Sequence, residues 1–510
     1  MYLTQSLHRA LQRHPDKVAL RHVVADVRRE YSFARFVDQI GRHAAALHAR
    51  GVRAGDRVAM LSPNNDALIV QLFACWWLGA VACPLNVRWS AAELRHALGD
   101  CGARLLLVDA EQACIAAEMH GAVTLLPADM LAAQARDEAP LDDTRTGGDA
   151  LAAILYTGGT TGRAKGVMLS HANFWSAAMT RGAELNNSPD SVTLLVAPLF
   201  HVAGLGRLIG QSIVGGGCVT MSQFRPAAVI AAIARHGITD IIVVPSMLQA
   251  LLDEPSFTPT QVQSVNRIAF GAAPMPPDLL DRALATWPHA EFFQAYGLTE
   301  TAGAVCINLP ANHTAAARAS GRLASVGRAG LGAEIRVVDE SGRDLPRGTV
   351  GEIIVRGPMV TRGYWGQPDT TAQALRDGWF HTGDGGRMDA DGYLTIADRL
   401  KDMIISGGEN VYSAEVEAGL RSHPAVADAA VIGLPDARWG ETVHAVVVLQ
   451  PSFAGSDAAA LRDELVAWCR RQLAGYKCPR SIEFSAALPL SAAGKVLKTQ
   501  LRAQARKASA

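Results

Sequence analysis

Short apolar runs of strand length alternate with longer segments of helical periodicity over about the first 400 residues of the chain. Such alternation is typical of layered α/β folds, in which helices cover the faces of a sheet. Helix starts are also marked locally, since Ser90-Ala-Ala-Glu93 fits a capping box. The pattern therefore predicts an α/β fold, with strands at residues 57–61, 104–108, 192–197, 240–244, 267–270 and 291–295.

The chain is long enough for more than one domain, because its 510 residues exceed what a single hydrophobic core supports. After about Ser320, short strands joined by turns indicate a β-rich section, and a unit of different pattern begins near Asp398. We therefore predict one domain of residues 1–400 and a second of residues 401–510. The second is expected to contain helices starting at Ser413 and Asp457 and strands near residues 429–433 and 443–449.

The composition is that of an ordinary globular protein, with 49% hydrophobic and 19% charged residues. The 48 basic residues balance 48 acidic ones, which argues against a nucleic-acid binder. The eight cysteines are scattered without a C-x-x-C pair, so neither disulfides nor a zinc site are predicted. The N-terminus lacks a basic region followed by an apolar core, so no signal peptide is predicted and a cytoplasmic location is expected.

Residues 67–85 are nearly all apolar and have the hydropathy of a membrane span. However, Asn64 and Asn65 offer helix caps before this stretch, and Gly79 can end a helix within it. A buried helix followed by a buried strand explains the stretch better than a transmembrane segment.

The segment from Tyr156 to Val167 reads Tyr-Thr-Gly-Gly-Thr-Thr-Gly-Arg-Ala-Lys-Gly-Val and follows a strand-like run. Glycines let backbone N–H groups turn towards an anion, while threonine hydroxyls and a lysine supply side-chain donors to phosphate oxygens. The spacing differs from that of the common P-loop, because Ala164 precedes Lys165 and Gly166 follows it. We predict a phosphate-binding loop formed by Thr157, Gly158, Gly159, Thr160, Thr161, Gly162 and Lys165.

Two further segments suit a nucleotide. The first is Gln294-Ala-Tyr-Gly-Leu-Thr-Glu-Thr301. Its tyrosine lies beside a glycine, where the aromatic ring can stack on a purine. The threonine and glutamate nearby can bind phosphate and a divalent metal. Gly271-Ala-Ala-Pro-Met-Pro276 has small residues after a strand, where backbone can pass close to a flat ligand. Each of these signals is weak by itself.

Together with the phosphate loop, these segments resemble the adenylate-forming enzymes, which comprise acyl-CoA synthetases, luciferases and nonribosomal adenylation domains. The resemblance runs from Leu3 to about Arg502, with the motifs in the same order. Ala164 departs from the family, which usually has a proline there, and suggests a looser loop. The resemblance implies a large N-terminal domain of two α/β sheets plus a β-barrel, and a small mobile C-terminal α+β domain that rotates about a hinge at Lys401.

The resemblance also assigns roles in binding ATP. A carboxylate can accept hydrogen bonds from the two ribose hydroxyls, and an arginine can assist it. Asp384 and Arg399 match the positions that bind the ribose in the family. Thr299 is implied to contact the α-phosphate and Glu300 to hold Mg²⁺, with Thr161 as a further catalytic and metal-binding candidate. The nucleotide site is expected to include Gly271, Ala272, Ala273, Ala295, Tyr296, Gly297, Thr299, Glu300, Asp384, Arg399 and Lys495.

Two residues are implied to act on the acid. The family's catalytic lysine follows a glycine, as Lys495 does, and its ammonium bridges the carboxylate and the α-phosphate. His201 matches an aromatic or histidine that flanks the carboxylate, although a buried core histidine is an equal alternative. The acyl pocket is expected to include His201, Ala203, Gly204, Met247 and Ala302. The segments around these residues are small and apolar, without Arg or Lys, and burying an unpaired second carboxylate there would be costly.

In the acyl-CoA synthetase branch, a glycine pair and a tryptophan line the tunnel for the pantetheine of CoA. Gly407, Gly408 and Trp439 match these positions. Arg88, Lys477 and Arg480 are candidates for the CoA phosphates, with an ordinary surface charge as the alternative for each.

The resemblance thus implies an AMP-forming acyl-CoA synthetase that uses ATP, Mg²⁺ and CoA. A monocarboxylic acid with an apolar body is expected, with medium- or long-chain fatty acids first and cinnamic- or benzoic-type aryl acids second. A ligase that loads a carrier protein, or a luciferase-like oxygenase, would use the same motifs. A nucleotide-binding protein without activity is disfavoured because Glu300 and Lys495 are both present. Neither a nucleic-acid partner nor a transmembrane segment is expected, and a homodimer is compatible with the sequence.

Overall fold

The computed structural model describes residues 1–24, 27–157, 164–271, 275–399, 402–406, 409–436, 439–453, 455–473, 475–491 and 495–508. It contains two compact units. The first unit comprises Met1–Ile335 and Val355–Phe380, and the second comprises Arg336–Ile354 and His381–Ala510. The predicted α/β fold with a small C-terminal domain is confirmed. A domain boundary and hinge at Lys401 stay a prediction, because that residue lies outside the described ranges.

The strands are β1 Val18–Val24, β2 Val27–Ser32, β3 Arg57–Leu61, β4 Val81–Pro84, β5 Leu105–Val108, β6 Thr124–Pro127, β7 Leu151–Thr157, β8 Lys165–Ser170, β9 Val192–Leu195, β10 Gly217–Thr220, β11 Asp240–Val243, β12 Arg267–Gly271, β13 Glu291–Leu298, β14 Gly303–Asn308, β15 Arg328–Ala329, β16 Glu334–Val338, β17 Gly351–Arg356, β18 Leu375–Arg376, β19 Trp379–Met388, β20 Leu394–Arg399, β21 Ile404–Ser406, β22 Glu409–Val411, β23 Val426–Asp436, β24 Gly440–Leu449 and β25 Ser481–Phe484. The helices are α1 Gln5–Arg13, α2 Phe33–Ala49, α3 Asp66–Leu78, α4 Ala91–Cys101, α5 Ala113–Ala117, α6 Ala128–Asp137, α7 His171–Glu184, α8 Val202–Val214, α9 Pro226–His236, α10 Pro245–Leu252, α11 Pro277–Thr286, α12 Ala315–Ala319, α13 Pro368–Ala374, α14 Ser413–Arg421, α15 Ala458–Arg470 and α16 Lys498–Ala508.

The first unit contains a six-stranded sheet of order β6-β5-β3-β4-β7-β8. Strands β3 to β7 pair in parallel, whereas β7 and β8 form an antiparallel hairpin. The apolar stretch at residues 67–85 forms the buried helix α3 and the buried strand β4, as predicted. The Asn65 side chain caps α3 and the left-handed Gly79 ends it. Among the described residues, no helix is long and apolar enough to cross a membrane.

A nine-stranded sheet in the same unit has the order β15-β14-β13-β12-β11-β9-β10-β1-β2. Its central strands, including β11, β12 and β13, are parallel, and β13 turns back into the antiparallel β14. Buried side chains such as Trp287, Phe270 and Phe292 pack into one core with the helices that cover this sheet. Because β12 and β13 run in parallel, the segments that follow them meet at the same edge of the sheet.

Two smaller sheets complete the fold. The β-rich section forms a five-stranded sheet of order β16-β17-β19-β18, with β20 paired to β19. The C-terminal sheet has the order β22-β21-β24-β23, with β25 paired to β24. Helices α14 and α15 contribute Val416, Leu420, Leu461 and Leu465 to the buried core on this last sheet. The predicted helices at Ser413 and Asp457 are present, Asp457 being the N-cap of α15.

Candidate functional site

The β7–β8 hairpin carries the predicted phosphate loop. Thr157 pairs with Lys165 across the hairpin, so the loop connects two adjacent, hydrogen-bonded strand ends. The Tyr156 hydroxyl donates to the Ala97 carbonyl at 2.9 Å and lies 2.7 Å from the Asp100 carboxylate, which ties the start of the loop to α4. Five predicted residues of the loop lie outside the described ranges: Gly158, Gly159, Thr160, Thr161 and Gly162.

A segment that the sequence did not single out holds strand β8 in place. The backbone N–H of Trp365 donates to the Gly166 carbonyl at 2.8 Å, and the backbone N–H of Met168 donates to the Gly363 carbonyl at 3.0 Å. Between these bonds, Tyr364 forms an antiparallel bridge with Val167. In the sequence, this segment stands out only by the adjacent aromatic residues Tyr364 and Trp365. Two neighbouring aromatic residues do not by themselves indicate a binding or catalytic site.

Tyr364 brings together two residues that were predicted separately. Its hydroxyl donates to Glu300 Oε1 at 2.9 Å, and the Lys165 ammonium lies 5.4 Å from the centroid of its ring. Glu300 is 9% exposed, and its backbone carbonyl accepts from the Thr361 N–H at 2.7 Å. A carboxylate, a phenol and an ammonium thus form one cluster beside the phosphate loop, and in water-poor surroundings such groups interact strongly with a charged ligand.

The strands that lead into the two small-residue segments, β12 and β13, are neighbours in the nine-stranded sheet. Gly271 pairs with Ala295, and a Cβ at Gly271 would lie 2.4 Å from the Ala295 carbonyl oxygen. A Cβ at Gly297 would lie 1.9 Å from the Gly303 carbonyl oxygen, so neither position accepts a side chain. Tyr296 is half-buried one residue before Gly297. Thr299 opens the short turn that holds Glu300, while Ala272 and Ala273 lie outside the described residues.

The predicted acyl-pocket residues lie around the start of α8. His201 is the N-cap of α8, with its ring 4.7 Å from that of Phe200, and Ala203 is exposed. Gly204 is a packing position, because a Cβ there would lie 2.3 Å from the Pro198 carbonyl oxygen. Ala302 is buried with φ +51° at the turn into β14. Met247 packs, half-buried, against the core of the nine-stranded sheet. Their role as a pocket stays a prediction.

In the second unit, the predicted ribose residues are partners in one strand pair. Asp384 on β19 lies opposite Arg399 on β20. Asp384 is 5% exposed, and its N–H donates to Thr382 Oγ1 at 3.0 Å, while the Thr382 hydroxyl donates to the Ile353 carbonyl at 2.7 Å. The antiparallel register therefore brings together two residues fifteen positions apart, which supports a shared role.

Lys495 lies on an exposed turn of the second unit. The turn is closed by Ser491, whose N–H donates to the Lys495 carbonyl at 2.7 Å and whose Oγ accepts from the Lys495 N–H at 3.1 Å. Leu490 and Val496 form an antiparallel bridge at its base. Local hydrogen bonds thus hold the backbone of Lys495, which is exposed.

The CoA candidates differ from one another in their surroundings. The Arg480 guanidinium lies 4.4 Å from the centroid of the Trp439 ring, a cation–π contact. Gly407 and Gly408 lie outside the described residues, but Ser406 beside them pairs with Gly440 beside Trp439.

The two remaining CoA candidates have other surroundings, and the Lys477 ammonium lies 5.9 Å from the centroid of the Tyr476 ring. Lys477 lies 2.8 Å from the Glu415 carboxylate, and this hydrogen bond raises the pKa of Lys477. Its charge is therefore already matched by a carboxylate of the same chain. Arg88 is exposed, and its N–H donates to Asn86 Oδ1 at 3.0 Å. Neither contact points to a phosphate ligand, so the surface-charge alternative stays open for both residues.

Comparison with known proteins gives a consistent result. The sequence profile of AMP-binding enzymes matches residues 7–365, and that of the AMP-binding enzyme C-terminal domain matches residues 415–495. Feruloyl-CoA synthase from Amycolatopsis sp is 43% identical over 495 residues, which are 96% of each chain. The long-chain-fatty-acid–CoA ligase FadD13 from Mycobacterium tuberculosis is 36% identical over 94% of this chain and 93% of its own.

Solved structures agree with these matches. The o-succinylbenzoate CoA synthetase MenE from Bacillus subtilis, in complex with its acyl-adenylate intermediate, superposes with a TM-score of 0.87 at 33% identity, covering 98% of this chain and 97% of its own. The same enzyme has also been solved with ATP and a magnesium ion.

Proposed function

The chain belongs to the family of AMP-binding enzymes and is an AMP-forming acid–thiol ligase that uses ATP, and we propose that it joins a monocarboxylic acid with an apolar body to CoA. Aryl acids of the cinnamic type are our first candidate, because the relative of 43% identity is a feruloyl-CoA synthase. Fatty acids, the first choice from the sequence, are the second candidate, because a relative of 36% identity is a long-chain-fatty-acid ligase.

The cluster of Lys165, Tyr364 and Glu300 beside the phosphate loop carries this proposal. A carboxylate is a poor acyl donor until its oxygen becomes part of a phosphate leaving group, so activation precedes transfer. In the first half-reaction, an oxygen of the acid attacks the α-phosphorus of ATP, the bond to pyrophosphate breaks, and acyl-AMP forms. Lys165 supplies positive charge at the strand end next to the loop, where the phosphates are proposed to bind.

Glu300 suits a magnesium ion. Mg²⁺ is usually held by one or two carboxylates together with substrate phosphates and water, and it neutralises phosphate charge when bound. Among the residues that the structure describes, no group of three or more His, Cys, Asp or Glu side chains is arranged to hold a metal by itself. The buried carboxylate of Glu300, oriented by the Tyr364 hydroxyl at 2.9 Å, matches this shared mode of binding.

The remaining roles follow the family. Asp384 and Arg399 are proposed to hold the ribose, since they are neighbours across β19 and β20. Lys495 is proposed to stabilise the charge that develops between carboxylate and α-phosphate. In the second half-reaction, the thiol of CoA attacks the acyl carbonyl and AMP leaves. Trp439 and Arg480 are proposed to contact CoA, because they form one stacked pair beside the predicted glycine turn.

The proposal is tested by measuring the two half-reactions separately over a panel of acids. Acid-dependent pyrophosphate release from ATP reports activation, and thioester formation reports transfer to CoA. We expect both with at least one aryl or fatty acid. A higher kcat/KM for malonate or succinate than for every aryl and fatty acid would overturn the substrate class. Pyrophosphate release without a CoA thioester, but with loading of a carrier protein's pantetheine, would show a carrier-protein ligase instead.

A further inference from the structure

Arg181, near the end of α7, lies against α8 in the first unit. Its Nη2 donates to the Gly206 carbonyl at 2.8 Å. A Cβ at Gly210, one turn further along α8, would lie 2.0 Å from Nη2, so the glycine leaves the space that the guanidinium occupies. The Arg181 side chain therefore lies on the glycine face of α8.

The charge of Arg181 is not matched by a carboxylate of the described residues. Its Nε is inaccessible and has no acceptor among the described residues, and none of their carboxylates lies within ion-pair distance of the guanidinium. The neighbouring Arg207 is different, because its Nη2 lies 3.0 Å from Asp240 and its Nε donates to Thr193 Oγ1 at 2.7 Å. Burial, and to a smaller extent Arg207, lowers the pKa of Arg181 to about 9, so Arg181 is still protonated at neutral pH. Of these two arginines, Arg207 is paired with a carboxylate of the described residues and Arg181 is not.

The charge of Arg181 lies close to the residues expected to line the acyl pocket. A Cβ at Gly206, the residue that Arg181 binds, would lie 3.6 Å from the Ala302 carbonyl oxygen. His201, proposed to flank the reacting carboxylate, caps the start of the same helix. At a rise of about 1.5 Å per residue, Gly206 lies about 8 Å along the helix from His201. The segments named from the sequence contain no basic residue, yet the fold brings one to them from α7.

We propose that Arg181 is a specificity-determining residue that donates hydrogen bonds to an oxygen at the far end of the acid, remote from the reacting carboxylate. This inference rests on the proposed acid–CoA ligase function. Arg181 is half-buried as a whole, but its Nε–H is an inaccessible donor without a partner among the described residues, which is costly, and an oxygen acceptor on the substrate removes that cost on binding. The distance of about 8 Å along α8 between His201 and Gly206 suits an aromatic ring that is joined to its carboxyl group through two carbons. The acceptor would then be a hydroxyl or methoxy oxygen on the opposite side of the ring.

The test uses matched pairs of acids. One pair is 4-hydroxy-3-methoxycinnamic and cinnamic acid, and the other is decanedioic and decanoic acid. We expect kcat/KM for acid-dependent pyrophosphate release to be roughly 10- to 100-fold higher for 4-hydroxy-3-methoxycinnamic acid than for cinnamic acid. The same ratio for decanedioic over decanoic acid would instead show that Arg181 binds an anionic acceptor, and would overturn the monocarboxylic class of the proposed function. The first pair reports a neutral oxygen and the second an anionic one, so the two sources of the acceptor are distinguished.

Four variants, one of them a control, assign the effect to Arg181. Arg181→Leu should bring the ratio close to one by lowering kcat/KM for the oxygenated acid only. Gly210→Ala should weaken the ratio in the same direction, since the new methyl group displaces the guanidinium without removing its charge. Gly182→Ala is the control, because a Cβ at this neighbouring α7 position meets nothing within 4 Å. Arg181→Lys keeps the charge and should restore part of the ratio.

The outcomes separate the inference from the function. If neither pyrophosphate nor thioester forms with any acid, the proposed function falls and the inference with it. If acids are activated but both ratios are near one in the wild-type enzyme, only the inference is overturned. An equal loss for both members of each pair in Arg181→Leu would show that Arg181 merely holds α8, and would also overturn it.

Discussion

The ATP-site residues of the first unit lie on or directly beside paired strands, whereas Lys495 and Trp439 in the second unit lie on turns. Thr157 and Lys165 are fixed by the β7–β8 register, and Gly271 and Ala295 by the β12–β13 register. The backbone of Lys495 is instead hydrogen-bonded to Ser491, next to an isolated bridge between Leu490 and Val496. Strand ladders hold a binding site in one geometry, while a short surface turn can present a group in one step and withdraw it in another. This difference is what we expect if the first unit serves both half-reactions and each turn serves one.

The largest expected effect tests the turn that carries Lys495. Lys495→Ala should lower acid-dependent pyrophosphate release by roughly 10²- to 10³-fold, because a charge that stabilises the developing transition state is lost. Conversion of supplied acyl-AMP and CoA to thioester should continue at close to the wild-type rate. Both rates are measured on the same preparation. Equal losses in the two half-reactions would contradict the assignment of one turn to one step.

A smaller effect tests the strand-borne cluster of the first unit. Tyr364→Phe removes the hydroxyl that donates to Glu300 at 2.9 Å, and adenylation should fall by roughly 10- to 100-fold, as for other hydrogen bonds to charged groups. The apparent affinity for magnesium should weaken as well. Tyr31→Phe is a matched control, because its hydroxyl also donates to a buried carboxylate, that of Asp66 at 2.6 Å, and neither residue is proposed to bind a substrate. If Tyr364→Phe and Tyr31→Phe lose similar adenylation activity, the loss reflects lower stability of the folded protein and not a role of the Tyr364 hydroxyl in the reaction.

The smallest effects compare two basic residues of the second unit. Arg480→Ala should raise KM for CoA about 5- to 10-fold, because it removes a charged donor proposed to bind CoA. Lys477→Ala should change KM for CoA by about twofold or less, since Lys477 is already paired with Glu415 near the surface. Adenylation should be unchanged in both. If the two variants raise KM equally, the Trp439–Arg480 pair is not the preferred CoA contact.

Much of the fold follows from local patterns in the sequence. The capping box at Ser90 and Glu93 is present in α4, and the helix–strand interpretation of residues 67–85 is correct down to the Asn65 cap and the Gly79 end. Strand ends deviate by a few residues, for example β13, which continues to Leu298 rather than ending near residue 295. That extension depends on pairing with β14, which no local pattern specifies.

The sequence by itself determined the family, the order of the motifs and most of the residues proposed to bind ATP. It could do so because glycine spacing, caps and hydrophobic periodicity act over a few residues, where backbone geometry decides the outcome. Only the tertiary structure placed Tyr364 on Glu300, sixty-four positions away, and Arg181 beside Gly206 on another helix. These contacts depend on how strands and helices pack at a distance along the chain, and the residues involved carry no local signal of their partners.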